Sequence, residues 1–325
     1  MLITRFGPDD LAATRFAISP VWETVTSRWA VHDPARHAIH LPWIKTATRA
    51  DKSAEFRSHR TLLAALIRPG AWLPDFLTPP PQTPLTTLRA ELSVLAATPA
   101  DTVRADLEVT HQQSPLTDLG RQIHADPERF LPGIVEALEA WWQLTIAAVW
   151  PKMRTLLEAD IAYRTRTLAD YGPGRMFAEL HPSLRWQQGR LEMEWGRELE
   201  LDLRGDGMPI APSIFLDRLP AFTVRPESPV SMYYPARAIG TLWERSVAPT
   251  AEPLVRLLGE TRARMLMLLD APQTTSQLAA RLDLAPGGIS AHLKVLHEAG
   301  LLTRNRQGKQ VLYLRTDLGH SLAGL

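Results

Sequence analysis

Near the C-terminus, Gly287, Gly288, Ser290, Ala291, His292 and Lys294 fall on one side of a helical repeat. Arg304, Arg306 and Lys309 follow shortly after. The first set is small and polar, so a backbone carrying it can come close to base edges or phosphates. The second set is cationic and suits phosphate oxygens beside a groove. Thr275, Ser276 and Gln277, at the start of the preceding helical segment, join the same candidate surface. The chemistry on offer is hydrogen bonding and charge pairing with nucleic acid, with no covalent step. His292 taken alone reads as a phosphate or packing residue rather than a base reader.

The elements that must hold these residues are legible around them. Thr274 and Gln277 are spaced as a capping box, and Leu278, Ala279 and Leu282 recur at helical spacing behind it. Leu284 to Pro286 reads as a turn, with Pro286 suited to the first turn of a second helix. Ile289, Leu293 and Leu296 form one apolar stripe on that helix, and Gly300 stands where a left-handed residue would stop it. Two β-prone runs, Leu301 to Asn305 and Gln310 to Arg315, flank a glycine-containing turn and predict a basic hairpin. This order specifies a winged helix-turn-helix, a shape that sets one helix into the DNA major groove.

The run Ser290-x-His292-Leu293-Lys294-x-Leu296-x-x-Ala299-Gly300-Leu301 resembles the recognition-helix signature of the ArsR-type winged-helix regulators. The resemblance spans Pro253 to Arg315. It implies a homodimer that reads a two-fold symmetric operator in double-stranded DNA and responds to a signal. Two departures stand out. Family members often carry Arg or Gln where this chain has Ala291, and Ser or Thr near Gly287 and Gly288, so few long side chains remain for base readout. Specificity then leans on DNA shape and on the hairpin. Metal-sensing members use cysteine pairs, and this chain has no cysteine, which excludes thiolate sensing.

A chain of 325 residues is long enough for two domains, read here as 1–251 and 252–325. The net charge of +1 conceals a split. Residues 252–325 hold nine Lys and Arg against six Asp and Glu, while the remainder is net negative. The start, MLITRFGPDDLAATRF, has no long apolar core, and no apolar run reaches membrane-spanning length. A cytoplasmic protein without membrane contact is the expectation.

Residues 1–251 read mainly as helices. The segments are Phe16 to Ala30 (with Val21, Trp22, Val25 and Trp29 on one face), Phe56 to Ile67, Leu85 to Ala97, Pro99 to Val109 and Leu131 to Trp150. Pro151 breaks this last helix or opens another that runs to about Leu168, and a further helix is expected over Ala236 to Ser246. Six prolines between Pro69 and Pro84 demand an extended loop. Leu191, Met193 and Trp195, then Leu199, Leu201 and Leu203, alternate with charge, and Met208 to Phe215 is an apolar strand. These predict a small antiparallel β meander over about 185–225. The fold class is therefore mainly α with that meander (α+β), ending in a winged helix-turn-helix. The fragments Phe16-Ala17-Ile18-Ser19-Pro20, Pro212-Ser213-Ile214-Phe215 and Tyr234-Pro235-Ala236-Arg237 look like those of actinobacterial regulators whose N-terminal region has no function to carry over.

All ten tryptophans precede residue 244. An aromatic-rich domain beside a DNA reader suggests a pocket for an apolar small-molecule effector, although Trp141, Trp142 and Trp150 individually read as core packing. His32, His37 and His40 lie close in sequence, but Pro34 and Pro42 break the helix a shared metal would need, so no metal and no cofactor is expected. Gly172-Pro-Gly174 reads as a turn, and no nucleophile elbow or metalloprotease helix is present. The chain reads as a regulator rather than an enzyme. Two other readings are an enzyme fused to a DNA reader, and a winged helix used only for protein assembly.

Overall fold

A computed structural model of the chain describes all residues except 197, 218, 226, 227, 244–250, 270, 271, 308, 309, 324 and 325, and the side chains of 251–253, 307 and 310. It divides into two compact units, Met1–Trp243 and Glu244–Leu325. The α+β class and the C-terminal winged helix-turn-helix are both present.

The helical core of the first unit is built around Pro20–His32. Ser19 caps this helix by accepting from Trp22 N–H at 3.0 Å, and Pro20 occupies the first turn. Arg15–Phe16 is a strand, so the helix begins later than the apolar spacing suggests. It is buried on nearly every side, polar residues included. Each of these therefore needs a partner. Thr24 and Thr26 donate back to the carbonyls of Pro20 and Trp22, and Ser27 to that of Thr24. Arg28 pairs with Asp51 at 2.5 Å, and its guanidinium lies 4.4 Å from the centre of the Trp141 ring. Trp141 in turn donates to Ser27.

Helices Leu41–Asp51, Arg57–Leu66, Leu88–Ala96, Ala100–Gln113 and Pro127–Thr145 pack into the same core. Pro151 opens the next helix, Trp150–Leu180, which outlasts the expected end near Leu168 and breaks at Gly172 (φ 78°). Trp141 and Trp142 are buried and Trp150 half-buried against this core, as expected of packing residues. The proline-rich stretch forms a single 3₁₀ turn, Asp75–Leu77, and a bridge from Ile18 to Leu85. The expected helix Ala236 to Ser246 is instead a 3₁₀ turn, Ile239–Trp243, preceded by Ala238 in a left-handed conformation. Residues 244–246 lie outside the described set.

The strands correct the antiparallel meander. They are β1 (Leu2–Arg5), β2 (Arg15–Phe16), β3 (Leu184–Gln187), β4 (Arg190–Met193), β5 (Leu199–Asp202), β6 (Pro209–Ser213), β7 (Ala221–Thr223) and β8 (Ser231–Pro235). They form two mixed four-stranded sheets, ordered β3-β4-β1-β5 and β2-β6-β8-β7. Among the described residues of this unit, β3–β4 and β7–β8 are the antiparallel pairs of strands adjacent in sequence. The N-terminal strand β1 enters between β4 and β5, antiparallel to one and parallel to the other. β2 and β8 both run parallel to β6. Period-two alternation identifies strands but not their partners, and both intruding strands come from the far end of the chain. At the turn before β6, Gly207 has φ +67°, and an added Cβ would meet Ala13 and Thr14 backbone at 2.5 Å. Only glycine fits there.

Two carboxyl groups are locked inside this unit. Glu23 accepts from Ile214 N–H at 3.0 Å, and Glu91 accepts from Val21 N–H at 2.8 Å and Ser19 Oγ at 3.1 Å. Burial pushes each up to about 8, against the opposing pull of these hydrogen bonds. The folded state thus holds protons that the unfolded chain releases above its ordinary carboxyl range. Stability from these groups is intact below about pH 4.5 and is lost as pH rises toward about 8. Glu23→Gln should therefore raise the melting temperature at alkaline pH and flatten its decline between about pH 5 and about pH 8.5. An unchanged decline in thermal melts of the variant would show that Glu23 is not the buried acid responsible.

Candidate nucleic-acid interface

The second unit has its own core, containing Leu254, Met265, Leu266, Leu278, Ile289, Leu293, Leu296 and Leu302. Helices Ala251–Leu258 and Glu260–Leu268 lead into β9 (Gln273–Thr274) and the helix Thr275–Leu282. The capping box forms. Thr274 Oγ1 accepts from Gln277 N–H at 3.2 Å, and Gln277 Oε1 accepts from Thr274 N–H at 2.8 Å. Leu278, Ala279 and Leu282 are buried, and Asp283, left-handed at φ 55°, ends the helix.

The next helix is Pro286–Glu298. Its stripe, Ile289, Leu293 and Leu296, is at most 1% exposed, so the opposite face is forced into solvent. Gly300 (φ 71°) follows its end. The hairpin is β10 (Leu302–Gln307) and β11 (Gln310–Arg315), paired in register from Leu302↔Arg315 to Gln307↔Gln310. Two additions were not evident from the sequence pattern. β9 adds a third strand through Leu312↔Thr274, and a last helix, Asp317–Ala323, packs back on the unit. Gly319 of that helix sits so close that an added Cβ would lie 2.1 Å from the Leu301 carbonyl oxygen.

The structure brings most of the sequence-identified residues to the surface of this motif. Gly287, Gly288, Ser290, Ala291 and Lys294 are exposed on the helix Pro286–Glu298, and His292 is half-buried. Ser276 and Gln277 are exposed and Thr275 half-buried at the start of the preceding helix. Arg304 and Arg306, two apart on β10, are both exposed. Lys309 lies outside the described residues. Lys294 and Gln277 have partners within the unit. Lys294 faces Glu298 at 3.8 Å, and the Gln277 carbonyl oxygen is taken by the helix cap. Arg315 belongs to the core rather than the hairpin surface, donating to the Leu269 carbonyl at 3.0 Å. Arg281 is an exposed cation that the motif reading passes over. It lies one turn beyond Gln277, on the same helix face, and the i, i+4 spacing carries that signal.

Among the described residues, no group of three histidines or carboxylates is placed to hold a metal, and no helix is long and apolar enough to cross a membrane. His37 donates through Nδ1 to the Asp33 carbonyl at 3.0 Å, and His40 Nδ1 accepts from Trp243 at 2.8 Å. Burial, with His37 nearby, pushes His40 down to about 4. Both rings are buried, and His40 packs on Phe215 and Trp243.

Residues 259–304 match the family model described as bacterial regulatory protein, arsR family. That match covers the helix-turn-helix and the start of β10, and it makes the C-terminal unit an ArsR-type winged helix-turn-helix. The unit is thus a DNA-binding domain of the kind used by bacterial transcriptional regulators. No curated protein and no solved structure matches the chain.

Gly287 and Gly288 have nothing within 4 Å of where a Cβ would stand, and both have ordinary helical φ. Packing does not require glycine at either position, and a helix would favour alanine by roughly 0.5–1 kcal/mol. Gly288→Ala should therefore raise the melting temperature of the second unit while weakening DNA binding, because the added methyl group holds the backbone off the phosphates. A variant that is more stable and binds DNA as well as the parent would remove close backbone approach from the account.

Proposed function

We infer that the protein is a ligand-responsive transcriptional regulator, working in the cytoplasm as a homodimer on a two-fold symmetric operator. The observation that carries this reading is the helix Pro286–Glu298, anchored by a fully buried stripe and presenting a small, polar opposite face beside two exposed arginines on β10. In this reading Gly287, Gly288, Ser290, Ala291 and His292 enter the major groove. Ser290 and His292 contact base edges, while Arg304, Arg306, Lys309 and Lys294 meet phosphates. Thr275, Ser276 and Gln277 meet the backbone from the preceding helix. Exposed Leu257 and Leu318, on helices that flank the motif, supply apolar surface suited to a second copy. The first unit senses an effector. It has a buried polar framework and surface cavities, and we assign it no catalytic role.

Selection of bound sequences from a random DNA library tests the reading directly. It should return a two-fold symmetric site with half-sites about one helical turn apart. On that site, Ser290→Ala with His292→Ala should cut discrimination against random DNA by about 1–3 kcal/mol per lost base contact, with random-DNA affinity little changed. Arg304→Ala and Arg306→Ala should weaken binding to all sequences and lower the salt slope by about 1 each. No enriched sequence, with no DNA affinity at low salt, would leave the winged helix as an assembly module.

A further inference from the structure

In the first unit, a cavity of about 160 Å³ is walled by Trp72, Trp195 and Phe222, with the carboxylates of Asp75 and Asp106 on its polar side. The two tryptophan rings meet edge to face at 6.2 Å. The Asp75 carboxylate accepts from Val224 N–H at 2.9 Å. Asp106 Oδ2 is buried and has no hydrogen-bond partner, and its ion-pair partner among the described residues, Arg225, stands 3.9 Å away. Two carboxylates against one guanidinium leave one negative charge without a partner among the described residues at this site. A buried carboxylate in that position calls for a proton or a cation.

We propose that this cavity binds a small organic ammonium ion, its charge set between Asp75 and Asp106 and its alkyl groups against Trp72 and Trp195. Aromatic walls attract an ammonium through the negative faces of their rings, and they shed the water that a metal ion would keep. No third carboxylate or histidine among the described residues completes a metal site. The space holds a head group of a few heavy atoms. Any longer arm can leave through the adjoining groove, which shares Leu199 and Val224 with the cavity.

Protons compete for the same place. Burial pushes Asp75 up to about 7 and Asp106 up to about 6. At Asp75 the Val224 N–H and Arg225 oppose the rise while Asp106 adds to it, and at Asp106 Arg225 and the Phe76 N–H oppose it. Tyr233, buried nearby, also feels the charge of Asp75, after that of Glu91. An ammonium bound here displaces those protons, so its affinity falls as pH is lowered through this range.

Binding itself is independent of the regulatory function, while an effector role for the ammonium rests on the ligand-responsive reading above. The test is calorimetric titration of the full-length protein with choline, beside its uncharged isostere in which carbon replaces nitrogen, and beside magnesium at equal ionic strength. Choline should bind saturably at about pH 8, about tenfold or more tighter than the isostere, and progressively more weakly toward about pH 5. Asp106→Asn and Trp195→Leu should each weaken it about tenfold. Circular dichroism melts identify any variant that fails to fold, and the isostere comparison on the parent protein decides the question without one. Equal binding of choline and isostere, no saturable binding, a matching response to magnesium, or a folded Asp106→Asn variant with parental affinity would each overturn the proposal. DNA affinity is then measured with and without choline. Binding that leaves DNA affinity unchanged keeps the ammonium site and removes its effector role.

Discussion

Three apolar residues on one stripe, Ile289, Leu293 and Leu296, decide which face of the helix Pro286–Glu298 meets solvent. Each is removed from water at roughly 1.5–3 kcal/mol, so the helix cannot rotate about its axis without losing most of that stabilisation. The exposed residues Gly287, Gly288, Ser290, Ala291 and Lys294 inherit their position from this constraint. Pro286 sets where the helix begins, and Gly300 permits the reversal that starts the hairpin. Thr316 then ties the chain back, donating to the Gly300 carbonyl through its hydroxyl at 2.7 Å and to the Leu301 carbonyl through its N–H at 3.1 Å. Arg304 and Arg306 are carried on β10 by the same framework. The exposed face is held in place because its back is packed.

The first unit is organised by polar burial instead. Pro20–His32 is buried along most of its surface, and partners for most of its polar groups hold it there. Glu23 and Glu91 fasten the helix to the segment after β6 and to the helix Leu88–Ala96. Asp160 plays a similar part, accepting from the Tyr234 hydroxyl at 2.6 Å and from Arg237 N–H at 3.2 Å, with Arg164 at 3.6 Å. Such networks specify one arrangement and penalise alternatives strongly. Protonation therefore reaches deep into this unit, through the two buried glutamates as well as through the cavity at Asp75 and Asp106.

What the sequence makes legible is local. The Thr274–Gln277 cap, the stripe on Pro286–Glu298 and the hairpin all follow from spacings of a few residues and all form, although β10 runs on through Arg306 to Gln307 rather than ending at Asn305. Pairing across the length of the chain is not legible in this way. Nothing in Leu2–Arg5 announces that it lies between β4 and β5, almost two hundred residues later. The burial of Glu23 and Arg28 is also hidden. The apolar residues of their helix mark one face, while its neighbours close over the other. The cavity brings together side chains from five separate segments, none of which carries a recognisable motif. Arg281 was within reach, one helical turn beyond Gln277.

The central claim is that the exposed face of Pro286–Glu298 lies against DNA, and site-specific photocrosslinking tests it most directly. A crosslinker at Ala291, exposed and without packing duties, should attach to major-groove base positions, while one at the exposed residue Glu260, outside the motif, should not. Crosslinks from position 291 that map to specific bases in two symmetric half-sites are the predicted result. DNA bound with no adduct from position 291 would contradict the account, because a winged helix that reads DNA with this helix cannot keep that residue away from the groove.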